Sequence, residues 1–149
     1  MNEASPVVDS DVRDAIAHWA PRLIANGIDC NDFQTPTARI TSWRDWRAEW
    51  SRTAEKHERL AHEASARGSV PSAAEAYVRA AICHHFGKFV FFEDMEQYAR
   101  ANAATSANYR RALAGLSPPA ERVEIPYMDA LLPGYLRRPE GVARPPVAV

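Results

Sequence analysis

Between residues 10 and 26 the apolar side chains fall at Val12, Ile16, Trp19, Leu23 and Ile24, the spacing of one helical face. Ser10 or Asp9 stands where a cap is needed, Gly27 where the helix should stop, and Pro21 should kink or restart it. Residues 27–41 carry turn signals, Asp-Phe-Gln-Thr-Pro-Thr among them, and read as a loop. A second helix opens at Ser42, whose spacing to Asp45 has the form of a capping box, and ends at Gly68. Its seam of Trp43, Trp46, Trp50, Ala54, His57, Ala61 and Ala64 is narrow, with a charged back. The third helix, about 72–92, has small residues (Ala73, Ala76, Ala80, Ala81) on one face and Val78, Ile82, Phe86 and Phe89 on another. A helix apolar on two faces is a central one. Gly87 within it costs roughly 1 kcal/mol relative to alanine, and points to close packing or ligand access. A fourth helix starts at Glu93 or Asp94 and runs to about Leu113, with Met95, Tyr98, Ala99, Asn102, Ser106, Tyr109 and Leu113 as its stripe.

After Ser117-Pro118-Pro119 the period changes. Arg122 to Tyr127 alternates polar and apolar residues as a half-buried strand does. Met128-Asp129-Ala130 is a tight connection, and Leu131 to Arg138 returns as a second strand, with Pro133 and Gly134 placing it at an edge or bulge. Pro145 to Val149 reads as the start of a third strand, and a stop inside that apolar run reads as truncation. The expected fold is mainly α: about four helices, then a β-hairpin and the start of a third strand. The expected division is a helical domain over 1–117 and strands over 118–149. Residues 42–67 and 72–92 do not align as repeat copies.

Composition adds little. Of 149 residues, 46% are hydrophobic and 25% charged, and 18 basic against 19 acidic residues give a net charge of -1. Neither nucleic acid nor an anionic membrane is expected as a partner. Cys30 and Cys83 form no C-x-x-C pair, and the polar N-terminus lacks the features of a signal peptide, so a reducing cytoplasm is expected. The apolar run Phe89 to Phe92 is too short to span a bilayer. Cys83, His84 and His85 are adjacent, but successive helical residues point roughly 100° apart, so the three cannot converge on one ion and no metal is expected. No cofactor is expected either. His57 and His62 read as surface or boundary residues. Glu124 and Asp129 are explained by strand and turn positions. The tryptophan seam reads as core, with an aromatic substrate wall as the alternative.

Four stretches carry a family resemblance: Ala-Glu-Ala-Tyr-Val-Arg-Ala-Ala from Ala74, His-Phe-Gly-Lys-Phe-Val-Phe at 85–91, Pro-Pro-Ala-Glu-Arg-Val-Glu-Ile-Pro-Tyr at 118–127, and Leu-Pro-Gly-Tyr-Leu at 132–136. Together they resemble the N-terminal part of the α/β-hydrolases related to 2,6-dihydroxypseudooxynicotine hydrolase and the esterases near it. The resemblance implies that residues 1–117 are a helical cap and that 118–149 are the first strands of a truncated α/β-hydrolase core. It implies a parent that hydrolyses an ester or a carbon–carbon bond next to a carbonyl, with a small-molecule substrate and a homodimeric assembly. It also puts His85, Phe86, Lys88 and Phe89 where such a cap faces substrate. The other reading makes Phe86 and Phe89 core, with His85 and Lys88 solvated or structurally hydrogen-bonded. None of the nine serines lies in a G-x-S-x-G elbow, so the chain is expected to be inactive alone. Two rivals stand beside this reading: a non-enzymatic helical interaction module whose β tail augments a partner's sheet, and a small-ligand sensor bundle.

Overall fold

The computed structural model describes residues 8–88 and 94–147. Five helices precede one hairpin: α1 (Ser10–Ala25), α2 (Cys30–Thr37), α3 (Trp43–Ala66), α4 (Val70–Lys88) and α5 (Met95–Ala112), then β1 (Ala120–Tyr127) and β2 (Ala130–Arg137). A single 3-10 turn, Leu113–Gly115, follows α5.

The helix ends follow the expected chemistry. The Asp9 carboxylate accepts the Asp11 N–H at 2.9 Å and opens α1. Gly27 and Gly68 take φ of +98° and +73°, a conformation that side chains resist. Beyond them Ile28 N–H reaches the Leu23 carbonyl at 3.2 Å and Ser69 N–H the Ala64 carbonyl at 2.9 Å, satisfying carbonyls that the helices leave open. At the start of α3, Asp45 Oδ2 accepts the Ser42 N–H at 2.9 Å. Pro21 does not break α1, which runs past it to Ala25 with Leu23 anchored in the core.

The expected loop at 27–41 contains α2, a correction. Asp29 caps it through the Asn31 N–H at 2.9 Å, and Phe33 and Pro36 are buried. Packing on α3 outweighs the turn signals of a segment with little helix propensity of its own.

The bulky core gathers Val12, Leu23, Ile28, Phe33, Ile40 and Phe86 around Trp46 and Trp50, which are 1% and 0% exposed. Burying one such ring is worth roughly 5 kcal/mol before the entropy of ordering is subtracted. The seam is therefore core. A second cluster of small residues, Ala61, Ala64, Ala73, Ala74 and Ala112 around Tyr77, brings α3, α4 and α5 close. α4 is the central helix, between α3 and α5. A Cβ at Gly87 would stand 3.2 Å from Trp50 Cβ, so this glycine serves close packing.

On α5 the buried residues are Ala101, Asn108 and Ala112, with Thr105 half-buried between them. The expected stripe was one position out of phase, and Met95 is exposed. Small residues admit α5 close to α4, and the polar Asn108 is buried because it has a partner on α3.

β1 and β2 are antiparallel, with Tyr127 opposite Ala130 and Ala120 opposite Arg137. Met128 and Asp129 form the turn, Met128 at φ +49°. The register puts Val123, Ile125, Tyr127, Leu132 and Leu136 on one face. The Tyr135 ring meets Tyr109 of α5 edge-on at 4.8 Å, and Arg137 donates to the Ser117 and Pro118 carbonyls. Residues 138–147 form no strand, and the last two residues of the expected third strand lie outside the described residues. Among the described residues no helix is long and apolar enough to cross a membrane.

Candidate functional site

Helices α1, α4 and α5 leave a cavity of about 360 Å³ between them. Leu23, Ala81, Ile82 and Phe86 form its apolar floor, with Trp19 and Tyr109 as aromatic sides. Its polar groups are Arg22 and Asn26 from the last turns of α1, His85 from α4 and Thr105 from α5. The helical spacing of Trp19, Arg22, Leu23 and Asn26 puts them on one face of α1. Arg22 lies 5.0 Å from the centre of the Trp19 ring, and its Nη1 donates to His18 Nε2 at 3.0 Å. Among the described residues no carboxylate lines the cavity.

The cavity contains two of the four expected site residues, His85 and Phe86. Their rings meet edge-on at 5.2 Å. Burial holds the His85 imidazole below its ordinary pKa, and the charge of Lys88 adds to this, so the ring is neutral at pH 7 with one donor and one acceptor nitrogen. Phe86 belongs to the core as well. Its carbonyl accepts Trp46 Nε1 at 3.0 Å, and its ring lies 6.3 Å from Trp50.

Lys88 is buried and turned toward α5. Its Nζ donates to Asn102 Oδ1 at 2.5 Å and lies 5.3 Å from the Tyr98 ring centre. Burial lowers its pKa. Lys88 does not line the cavity. Phe89, the fourth expected site residue, lies outside the described residues.

The other polar centres hold helices together. Glu58 on α3 accepts Asn108 Nδ2 at 2.6 Å and pairs with His84 Nε2 at 3.0 Å, joining α3, α4 and α5. Cys83, His84 and His85 diverge: the thiol into the core, His84 to Glu58, and His85 to the cavity. Burial, reinforced by Asp32, pushes the Cys83 thiol up to about 12, so it is protonated and unreactive at neutral pH. His57, expected at the surface or its boundary, is 4% exposed and bonded to Asp32 on α2, whereas His62 is exposed. Among the described residues no group of three or more metal-binding side chains converges.

Sequence reasoning missed Arg22, Asn26, Thr105 and Tyr109 as cavity residues. The signal available was the stripe of α1, whose Trp19 and Leu23 face inward with Arg22 beside them.

Over 138 residues the chain is 31% identical to 2,6-dihydropseudooxynicotine hydrolase of Paenarthrobacter nicotinovorans, covering 91% of this chain and 36% of that one. The crystal structure of 2,6-dihydroxy-pseudo-oxynicotine hydrolase superposes with a TM-score of 0.70 and 32% identity, over 82% of this chain and 34% of that chain. The chain is homologous to α/β-hydrolases. A further relative, the α/β-hydrolase xenA of Xenoacremonium sinensis, is 30% identical over 82% of this chain and 29% of its own. The chain thus spans about a third of the length of the hydrolases it matches. No protein-family model matches it.

Proposed function

We propose that this chain supplies the helical cap, residues 1–117, and the first sheet strands, 118–149, of an α/β-hydrolase acting on a small-molecule ester or on a carbon–carbon bond beside a carbonyl. The observation that carries the reading is its homology to hydrolases over about a third of their length, combined with the lack of a nucleophile elbow in its sequence. The serine, its histidine and its acid would then come from a core beyond these residues. Without that serine, and without the donors that stabilise the oxyanion, acyl transfer has neither an attacking group nor a charge sink.

In this reading the cap excludes water and binds the part of the substrate that does not react. His85 and Phe86 meet that part in the α1–α4–α5 cavity. Burial, with the charge of Lys88 adding to it, keeps His85 neutral. A cytoplasmic setting and a homodimer complete the proposal. The test is purified chain offered an activated ester and a 1,3-diketone. No turnover is expected. Hydrolysis that purifies with the chain and survives in a host lacking the background esterases would overturn the reading.

A further inference from the structure

We infer that the α1–α4–α5 cavity takes a small, flat aromatic acid, its ring between Trp19, Phe86 and Tyr109 and its anionic group at Arg22. The inference rests on the proposal that this cavity receives the non-reacting part of a substrate, and it adds the charge and shape of that part.

The shape follows from the walls. Three aromatic side chains from three different helices line a space otherwise bounded by Leu23, Ala81 and Ile82. Such walls favour a flat apolar body, which they contact by stacking and edge-on packing. The charge follows from what lines the cavity. Among the described residues that line it, Arg22 is the one formal cation, and none is Asp or Glu. Arg22 contacts the Trp19 ring and His18 Nε2 and forms no ion pair with a carboxylate among the described residues. A guanidinium offers five donors in a planar fork suited to a carboxylate. Only part of that fork is used by His18. Lys88 lies behind His85 and adds positive potential. A cationic ligand would meet Arg22 as a like charge, with no carboxylate among the described lining residues to offset it.

The probes are 2-naphthoate, 2-naphthamide and 2-naphthylmethylammonium, which share a ring system and differ in charge. Affinity is measured by calorimetry and ligand-observed NMR on the purified chain. Shifts of the Trp19 indole and Ile82 methyl protons locate the probe. The expected result is 2-naphthoate about tenfold tighter than the amide, as one charge-assisted contact gives, with the cation weakest. Arg22→Gln should bring naphthoate down to the affinity of the amide, and Arg22→Lys should retain most of the preference. Equal affinity of wild type for naphthoate and amide, or a preference that persists in Arg22→Gln, would overturn the anion assignment and leave the cavity reading intact. Failure of all three probes to bind the folded chain at millimolar concentration, or shifts that avoid Trp19 and Ile82, would overturn both.

Discussion

His57 Nε2 lies 2.7 Å from Asp32 Oδ2, and both residues are buried, at 4% and 6% exposure. The contact joins α2 to α3 across twenty-five residues of sequence. It explains why a segment rich in turn signals is helical, and why a histidine on a charged helix faces inward. Removing one partner leaves the other desolvated and unpaired, which costs about 3 kcal/mol or more. Asp32→Ala and His57→Ala should each lower stability by that order in urea unfolding. The double variant should lose clearly less than the sum of the two. Strict additivity would mean that the pair is not coupled.

Two glycines allow close approach to different degrees. A Cβ at Gly115 would stand 2.6 Å from Ala74 Cβ and 2.8 Å from the Val70 carbonyl oxygen, whereas one at Gly87 would stand 3.2 Å from Trp50 Cβ. Gly115→Ala must push the 3-10 turn off α4 and should cost about 1–3 kcal/mol. Gly87→Ala sets a slight overlap against a gain in helix propensity of roughly 1 kcal/mol and should be near neutral. Thermal melts of both variants decide this. Equal losses would count against the packing described here.

Stability should fall in two stages as pH drops. His85 has a folded pKa below its ordinary 6.5, because of burial and then Lys88. The unfolded chain therefore binds more protons in the window below 6.5, and stability declines there until the folded pKa is passed. For Glu58, burial pushes its pKa up, but hydrogen bonds from Asn108 and His84 outweigh this and bring it below its ordinary 4.5. Its contribution is present above 4.5 and is lost as pH falls through the folded value. His85→Gln should flatten the upper stage and Glu58→Gln the lower. Unfolding free energy measured against pH checks both, and an unaltered profile in either variant would refute that assignment.

The hairpin presents Ile125 and Tyr127 at 54% and 56% exposure, with Leu132 at 47% across from Ile125. A two-stranded sheet with such a face and unpaired edges favours association. Light scattering should show an oligomer that grows with concentration. Changing Ile125 and Leu132 together to lysine, which places like charges opposite each other on that face, should give a monomer. A wild-type chain that stays monomeric at high concentration would contradict this.

What the sequence disclosed was local. Gly27, Gly68 and the Ser42–Asp45 spacing marked helix ends correctly because each acts within a few residues. The change of period after Pro119 located the hairpin, and the tryptophan seam located the core. Long-range pairing was illegible. Asp32–His57 and Glu58–Asn108 bring together groups far apart in sequence, and these contacts decide which faces of α2 and α5 are buried. Of the residues singled out in the sequence, His85 and Phe86 line the cavity and Lys88 does not, and the contributions of α1 and α5 to that lining depend on helix placement that periodicity does not carry.

A chimera tests the central claim most directly. This chain would replace the matching third of the related hydrolase of Paenarthrobacter nicotinovorans, and specificity constants would be compared for a bulky substrate and a small activated ester. If the helical block is a cap that binds the remote part of the substrate, the chimera hydrolyses the small ester about as well as its parent does. Its ratio of bulky to small substrate then changes severalfold and moves again with Arg22→Gln. A folded chimera that keeps the parent's ratio, with or without Arg22, would contradict the account.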